Sequence, residues 1–499
     1  MRHSESFLRN YVFILTARVL RIGVGLLLLF GVARYLPVGE FGDFLFVVNL
    51  AAGVMSIAFY GIGQAVVRDV SADRALAPQY VGAAFKLRTH LTLVSVAALT
   101  AGCIFMDIRG QILTALVIAA TSEVFRSFSD LAKEVYRSFE RMKYDTMVTT
   151  LYSAIVLALV TAAIYFKATM VWIFGAICLA NMVQFLVSVR IMLKHFVVPD
   201  ATVQSRIMNG FIKDAFSLGV GAFCAQLIWR APSLVLKSMR GGVDVALFEA
   251  AHGLILQTLI LNEVFITVLL PRLSALISTQ DHARIRQLGS RLFKALLLLF
   301  INVCLVFFVF HSEIIRLLYG HKYVSSGFVL TVLSPSLIFI SLTGVCHIFL
   351  ISMKLQRQFI QCNAVSTVAL LVTLPLAAYR YGYEGAAIAS LFTYAVNFVI
   401  SLYMTNRYVF KVPLRRMLKA LGLSVVIAFA GATVRDFNQT VAFLVLELSF
   451  LLMAAKAEIL DTEEKLYLKA ILLHRMKAKK KNGSALHQPD HPHRPLDAP

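Results

Sequence analysis

Residues 10–36, NYVFILTARVLRIGVGLLLLFGVARYL, decide how this chain is to be read. The run is long enough to cross a bilayer, since about 20 helical residues span the hydrocarbon core. Arg18, Arg21 and Gly25 fall at helical spacing and share one face, while Leu26 to Phe30 continues without a polar residue. A guanidinium at the bilayer centre costs about 2.5–3.5 kcal/mol on the insertion scale, so two in one span need a reason. Either both snorkel to a nearby interface, or they face a water-filled cavity that receives an anion. A second apolar run, 41–66, completes a hairpin that ends near Ser71.

Outward from this hairpin the pattern recurs along most of the 499 residues, of which 59% are hydrophobic and 15% charged. Soluble domains carry about 25% charged residues, and the mean hydropathy here is +0.76. Only segments that satisfy their own backbone can cross hydrocarbon, so the runs are membrane-spanning helices. About fourteen are expected, near 11–36, 41–66, 87–107, 110–132, 145–166, 170–193, 215–238, 246–270, 293–311, 325–352, 359–380, 384–405, 414–434 and 437–456. The first is too long and too rich in arginine for a cleaved signal peptide, and no small-residue cleavage site follows it.

The formal charge of +21 sits in alternate loops. Arg68, Arg74, Lys86 and Arg88 fall in one basic loop, Arg137, Arg141 and Lys143 in the next, and Arg407, Lys411, Arg415 and Arg416 in a later one. The intervening loops hold far fewer, such as Arg34, Arg109, Lys167, Lys237, Arg240, Arg316, Lys322, Arg380 and Arg435. That is the positive-inside pattern of a multi-pass protein with both termini cytoplasmic, and no nucleic acid is needed to explain it. The cysteines (Cys103, Cys178, Cys224, Cys304, Cys346 and Cys362) form no CxxC pair and lie in or beside apolar spans. They read as small packing residues, not as disulfides or metal ligands.

An internal repeat appears at an offset of 203: Gly39 aligns with Gly242, and Ser71-Ala72 with Ser274-Ala275. It predicts an all-α integral membrane protein built from two six-helix lobes around a central cavity. Residues 1–205 would carry helices 1–6 and 206–411 helices 7–12, with helices 13 and 14 appended over 412–460. From 461 to 499 the chain turns charged, then rich in Pro and His, and reads as a largely disordered cytoplasmic tail. Lys479 to Lys481 suit anionic lipid. His487, His491 and His493 lie among prolines that cannot hold a helix, so no metal site is expected there.

No nucleophile elbow, P-loop or ligand-spaced Asp/His/Cys cluster is present, which points away from an enzyme and calls for no cofactor or metal. Transport energy would come from an ion gradient, the membrane potential or the substrate gradient. The ionisable residues inside the spans are the remaining signal. Glu123, Arg126, Asp130 and Lys133 or Glu134 can pair along one helix face. From Asp130 to Arg141 they read as a helix end running out into water, whereas Glu123 and Arg126 lie deep enough to line a cavity. Arg230 has no carboxylate one turn away and stands beside Pro232, which frees a backbone carbonyl. Glu249 and His252 form an i, i+3 pair, with Asn262 and Glu263 further along. Any of these acids could instead be the structural partner of an arginine. His347 reads as a hydrogen-bonded core group.

Several stretches together resemble the polysaccharide transporter branch, the Wzx-type flippases, of the multidrug/oligosaccharidyl-lipid/polysaccharide exporter superfamily. Asn10, Arg18 and Ala33-Arg34-Tyr35-Leu36 before Phe41-Gly42 are similar to that family's first hairpin, with Gly61, Gly63 and Arg68 closing its second helix. VYRSFERMKY at 135–144 resembles its loop between helices four and five. Phe248, Ala250 and Ala251, then Leu270-Pro271-Arg272-Leu273-Ser274, resemble its eighth helix. Leu317-Leu318-Tyr319-Gly320 and Gly382 with Gly385-Ala386-Ala387 follow in the family's order, and the likeness runs to about residue 456.

The resemblance implies a bacterial inner-membrane flippase that moves an undecaprenyl-pyrophosphate-linked oligosaccharide to the periplasmic leaflet for exopolysaccharide, O-antigen or capsule biosynthesis. Alternating access would be the mechanism, with the lipid-linked oligosaccharide and membrane lipids as partners, a polysaccharide polymerase and export machinery downstream, and a monomer as the working unit. Arg18, Arg21, Arg126 and Arg230 would be the anion contacts. Pro232 stands where the family often has an Asp, so ion coupling or charge pairing falls to Asp69, Glu123, Glu249 or Glu263. A lipid II flippase should show a different arginine pattern in the first two helices. A drug/ion antiporter should show acids in an aromatic pocket, and a membrane glycan polymerase or ligase a large periplasmic loop.

The topology is directly checkable. Alkaline phosphatase fused after Lys167 is expected to be active and after Lys354 inactive, with the opposite pattern for a fluorescent protein.

Overall fold

The protein is described here from a computed structural model covering residues 20–56, 61–200, 202–262, 281–412, 414–435 and 439–456, with scattered positions between 263 and 280. Arg18 and Glu263 lie outside the described residues. Among the described residues every regular element is helical. Helix α1 covers residues 20–35. It is followed by α2 (Val38–Met55), α3 (Ile62–Ala72), α4 (Ala77–Phe105), α5 (Gly110–Ser138), α6 (Met142–Tyr165) and α7 (Met170–His195). The second half holds α8 (Ser205–Met239), α9 (Gly242–Thr258), α10 (His282–Val309), α11 (His311–Tyr319), α12 (Ser326–Leu333), α13 (Ser336–Ser352) and α14 (Gln356–Tyr408). Helices α15 (Leu414–Arg435) and α16 (Gln439–Lys456) pack on each other in a separate unit that begins at Pro413.

Among the described residues nine helices are long and apolar enough to cross a bilayer, and the pair α12–α13, bent by 42° at Pro335, makes a tenth. Helix α14 counts once in that total but is broken at Gly382, where φ is +57°. Asn363 and Asn397 hydrogen-bond across the break at 3.3 Å, so its two arms run antiparallel. The left-handed backbone at Gly382 is one that residues with a Cβ avoid, and here it also brings the Tyr383 amide onto Asp244 at 3.1 Å. The second expected span, 41–66, is not one helix. It stops after Met55, and α3 starts anew behind Gly61, whose φ of +86° continues no α-helix.

In the first half α5 lies along α7, α6 packs on α7, and α2 crosses α5. In the second half α8 lies along α14, while α13 joins α14 and α10. The two halves meet where α2 lies on α9 and α8. Gly42 permits this: a Cβ there would overlap the Gly242 carbonyl oxygen, so the two backbones touch. Gly39 and Gly242, aligned by the 203-residue repeat, are also in contact, since a Cβ on Gly242 would press on the Gly39 carbonyl. Repeat mates that touch one another are what a pseudo-twofold axis between the halves produces.

The same end of the bundle, opposite the basic loops, is closed by further bonds between the halves. Arg34 donates to the Leu317 and Leu318 carbonyls, Lys322 to those of Arg34 and Leu36, and the Tyr323 hydroxyl to that of Ala33. Asp43 and Lys237 form an ion pair, and Phe41 meets Tyr323 edge-on at 5.7 Å. At the basic end of the first half, Ile62, Val66, Val70, Val81, Leu131, Val135 and Tyr136 form a fully buried cluster. This corrects the reading of Asp130 to Arg141 as a helix end in water. Lys133, Tyr136 and Ser138 are buried because α3 and α4 cover one side of that stretch of α5 and α6 and α7 the other, where the Tyr136 hydroxyl donates to the Ser188 carbonyl.

Replacing Gly42 with Val is expected to destabilise the fold by about 1–3 kcal/mol through overpacking. Gly102→Ala in α4, where nothing lies within 4 Å of the added carbon, should be neutral or slightly stabilising. Thermal unfolding midpoints in detergent would separate the two.

Candidate functional site: two charged chambers joined along α5

Helix α5 carries ionisable residues on successive turns, and the structure turns them inward. A chamber of about 310 Å3 lies between α3, α4, α5 and α8, lined among others by Arg88, Arg126, Asp130, Glu134, Gln226 and Arg230. A second, of about 220 Å3, lies between α1, α5, α6 and α7, lined by Arg21, Arg126, Asp130, Lys133, Tyr152 and Asn181 among others. Arg126 and Asp130 border both. Together the walls hold five cations (Arg21, Arg88, Arg126, Lys133 and Arg230) against two carboxylates, Asp130 and Glu134.

Most of these charges are held by neighbouring groups. The Arg126 Nε donates to Glu123 at 3.0 Å, and Lys133 pairs with Asp130 at 2.6 Å. Both pairs use the i, i+3 neighbourhood of one helix face. Arg88 is only 1% exposed; its guanidinium donates to the Ser127 carbonyl and lies 3.8 Å from Glu134. Its Nε has no hydrogen-bond acceptor, nor has the Glu134 Oε2 a donor. Gly63 presses α3 onto this carboxylate, since a Cβ there would overlap it.

Arg230 is fixed across the boundary between the halves. Its Nε donates to Gln226 at 3.0 Å and its Nη1 to the Asn49 amide oxygen at 2.9 Å. The Asn49 amide nitrogen donates in turn to Ser233 and Glu249, each at 3.2 Å, and Ser233 also donates to Glu249. His252 lies 3.6 Å from Glu249 through Nδ1 and 2.9 Å from the Tyr394 hydroxyl through Nε2. A chain of polar groups thus runs from the chamber wall through α2, α8 and α9 to the second arm of α14.

Of the residues expected from sequence, Arg21, Arg126 and Arg230 line the chambers, and Glu123 supports Arg126. Arg18 and Glu263 fall outside the described residues. Glu249 is buried in the relay behind Arg230. Asp69 is paired with Arg68 at 2.7 Å on the exposed end of α3, away from both chambers. Sequence reasoning missed Arg88, which it counted among loop charges beside Lys86, and Asn49. The available signal was Pro78: proline favours the first turn of a helix, and a helix starting there buries Arg88 about three turns in.

Such walls suit a multiply charged anion. Planar guanidinium groups can each hold two phosphate oxygens, and in a site shielded from water these charge-assisted bonds gain strength. The all-helical bundle has the fold of several solved membrane transport proteins. A protein described as the lipid II flippase MurJ, in an inward closed conformation, superposes with a TM-score of 0.72 at 13% identity, over 90% of this chain and 98% of that one. A multidrug resistance MATE family transporter, inward-facing, gives 0.62 at 15% identity, over 78% and 98%. A MOP superfamily transporter from Pyrococcus furiosus, whose description notes a binding pocket of reversed polarity, gives 0.60 at 14% identity, over 80% and 95%. No curated protein matches by sequence. The chain belongs to the polysaccharide biosynthesis protein family, whose model matches residues 7–277.

Arg88→Met is expected to cost about 3–5 kcal/mol of stability, because it strands the Glu134 carboxylate without its cation. The double variant Arg88→Met, Glu134→Gln should recover most of the loss. Thermal midpoints of the three proteins measure the coupling.

Proposed function

We propose that this protein is a flippase of the bacterial inner membrane. It carries undecaprenyl-pyrophosphate-linked oligosaccharide from the cytoplasmic to the periplasmic leaflet for surface polysaccharide biosynthesis. The observation that supports this most is the pair of charged chambers, where five cations outnumber two carboxylates inside a membrane bundle. A pyrophosphate is the part of such a substrate that most needs cationic company while crossing hydrocarbon. Membership of the polysaccharide biosynthesis family and the flippase fold neighbour agree with that choice.

Arg21, Arg88, Arg126 and Arg230 would bind the pyrophosphate oxygens, while Asp130, Glu134 and Glu123 neutralise the same cations when no substrate is bound. The closed far end, held by Arg34, Lys322 and Tyr323, fits a state that accepts substrate from the cytoplasmic side. Breaking those bonds while the basic end closes is the alternating-access step. The Glu249–His252 pair behind Arg230 is the best-placed candidate for ion coupling, because Asn49 links it to the anion-binding arginine. Asp69, paired at the exposed end of α3, has no such link.

In a deletion strain, complete lipid-linked repeat units should accumulate on the cytoplasmic leaflet, and wild-type protein should clear them. Arg126→Ala and Arg230→Ala should each cut transport about 10–100-fold, the loss of one charge-assisted contact. Repeat units reaching the periplasmic leaflet of the deletion strain unpolymerised would sink the reading.

A further inference from the structure

A third cavity, of about 430 Å3, lies entirely in the second half, between α8, α9, α13 and both arms of α14. Its chemistry differs from that of the charged chambers. No Asp, Glu, Lys or Arg is among its lining residues; Trp229, Phe359 and Tyr394 supply rings, and Asn262, Asn363 and Asn397 supply amides. The volume falls within the range of small-ligand sites, about 300–1,000 Å3.

Two side chains in it are buried and unsatisfied. The Asn262 Oδ1 and the Thr343 hydroxyl have no hydrogen-bond partner, and both residues are only 7% exposed. Buried polar groups in folded proteins are almost always paired, so two such atoms on one cavity wall ask for a ligand. Other polar groups here are already fixed. Asn397 donates to Asn363 at 3.3 Å, Ser401 donates to Asn397 at 3.2 Å, and His347 meets Ser401 at 3.0 Å. The wall is therefore a set of held amides and rings with one acceptor and one hydroxyl to spare.

We infer that this cavity binds the first sugar of the substrate, and that the sugar is uncharged. The inference rests on the reading of the charged chambers as the pyrophosphate site. Gln226 lines both that site and this cavity, so a sugar bonded directly to the phosphate would enter here. A neutral sugar offers hydroxyls that donate to Asn262 and both donate to and accept from Thr343, and its C–H faces cover aromatic rings. An isoprenoid chain would leave both buried groups dry. An acidic sugar would bring its carboxylate to a wall with no cation.

The chain has two tryptophans, Trp172 and Trp229. Trp172 is 70% exposed on α7, so Trp172→Phe leaves Trp229 as a single reporter inside the cavity. That protein, in lipid nanodiscs, is titrated with farnesyl pyrophosphate, with the same compound bearing one glucose, and with the compound bearing one glucuronic acid. All three should bind. The glucosyl compound should bind about tenfold more tightly than the bare one and change Trp229 emission, and the glucuronyl compound should gain nothing over the bare one. Asn262→Ala and Thr343→Val should each lose most of the glucosyl advantage, with thermal midpoints checking their folding. Equal binding of bare and glucosyl compounds, or tighter binding of the glucuronyl one, would overturn the sugar site and leave the pyrophosphate site standing. Failure of all three to bind would overturn both.

Discussion

The architecture depends on the bare backbone contact between Gly42 of α2 and Gly242 of α9. Seven residues beyond each glycine, two helical turns along, stand Asn49 and Glu249, which hydrogen-bond to each other at 3.2 Å. Close packing at the glycines thus sets the spacing at which the amide of one half reaches the carboxylate of the other. Arg230 hangs on that same amide. Asn49 and His252 are 203 residues apart, as Gly39 and Gly242 are, and both address Glu249. A contact made for packing therefore also positions the guanidinium at the chamber wall.

The second constraint is electrostatic. Charges inside a membrane bundle survive when partners on the same or a neighbouring helix share the cost of leaving water. Here α5 supplies most of the carboxylates and also two of the cations, at spacings that let them pair before any ligand arrives. The excess of cation is left to Arg21, Arg88 and Arg230, which project from α1, α4 and α8. One helix balances itself while its neighbours tip the balance. This division explains how a chain that is 59% hydrophobic can keep a strongly charged interior.

Much of this was legible in the sequence because hydropathy and loop charge are read over long windows. The spans and the all-helical class followed from such averages, the family from short motifs in their order along the chain, and Arg21, Arg126 and Arg230 from their place as charges within spans. What escaped depends on single boundaries and on neighbours distant in sequence. Arg88 was hidden by Lys86 and by a helix start placed about ten residues late. Asn49 is one polar residue in an apolar run, and nothing local tells that it faces Arg230. The break at Gly61 sits in a stretch whose hydropathy is continuous. The burial of Lys133 and Tyr136 is set largely by α6 and α7, whose placement no periodicity in α5 encodes.

The sharing of Arg126 and Asp130 by two chambers has a kinetic consequence. On the proposed function, an anion passing from the chamber at Arg230 to the one at Arg21 would keep the same guanidinium as a neighbour throughout. Its hydration would not have to be rebuilt between the two chambers, and the carboxylate that competes for that guanidinium would limit how tightly either one holds it. Relay geometry of this kind would favour rapid passage over tight retention, as the proposed flippase would require.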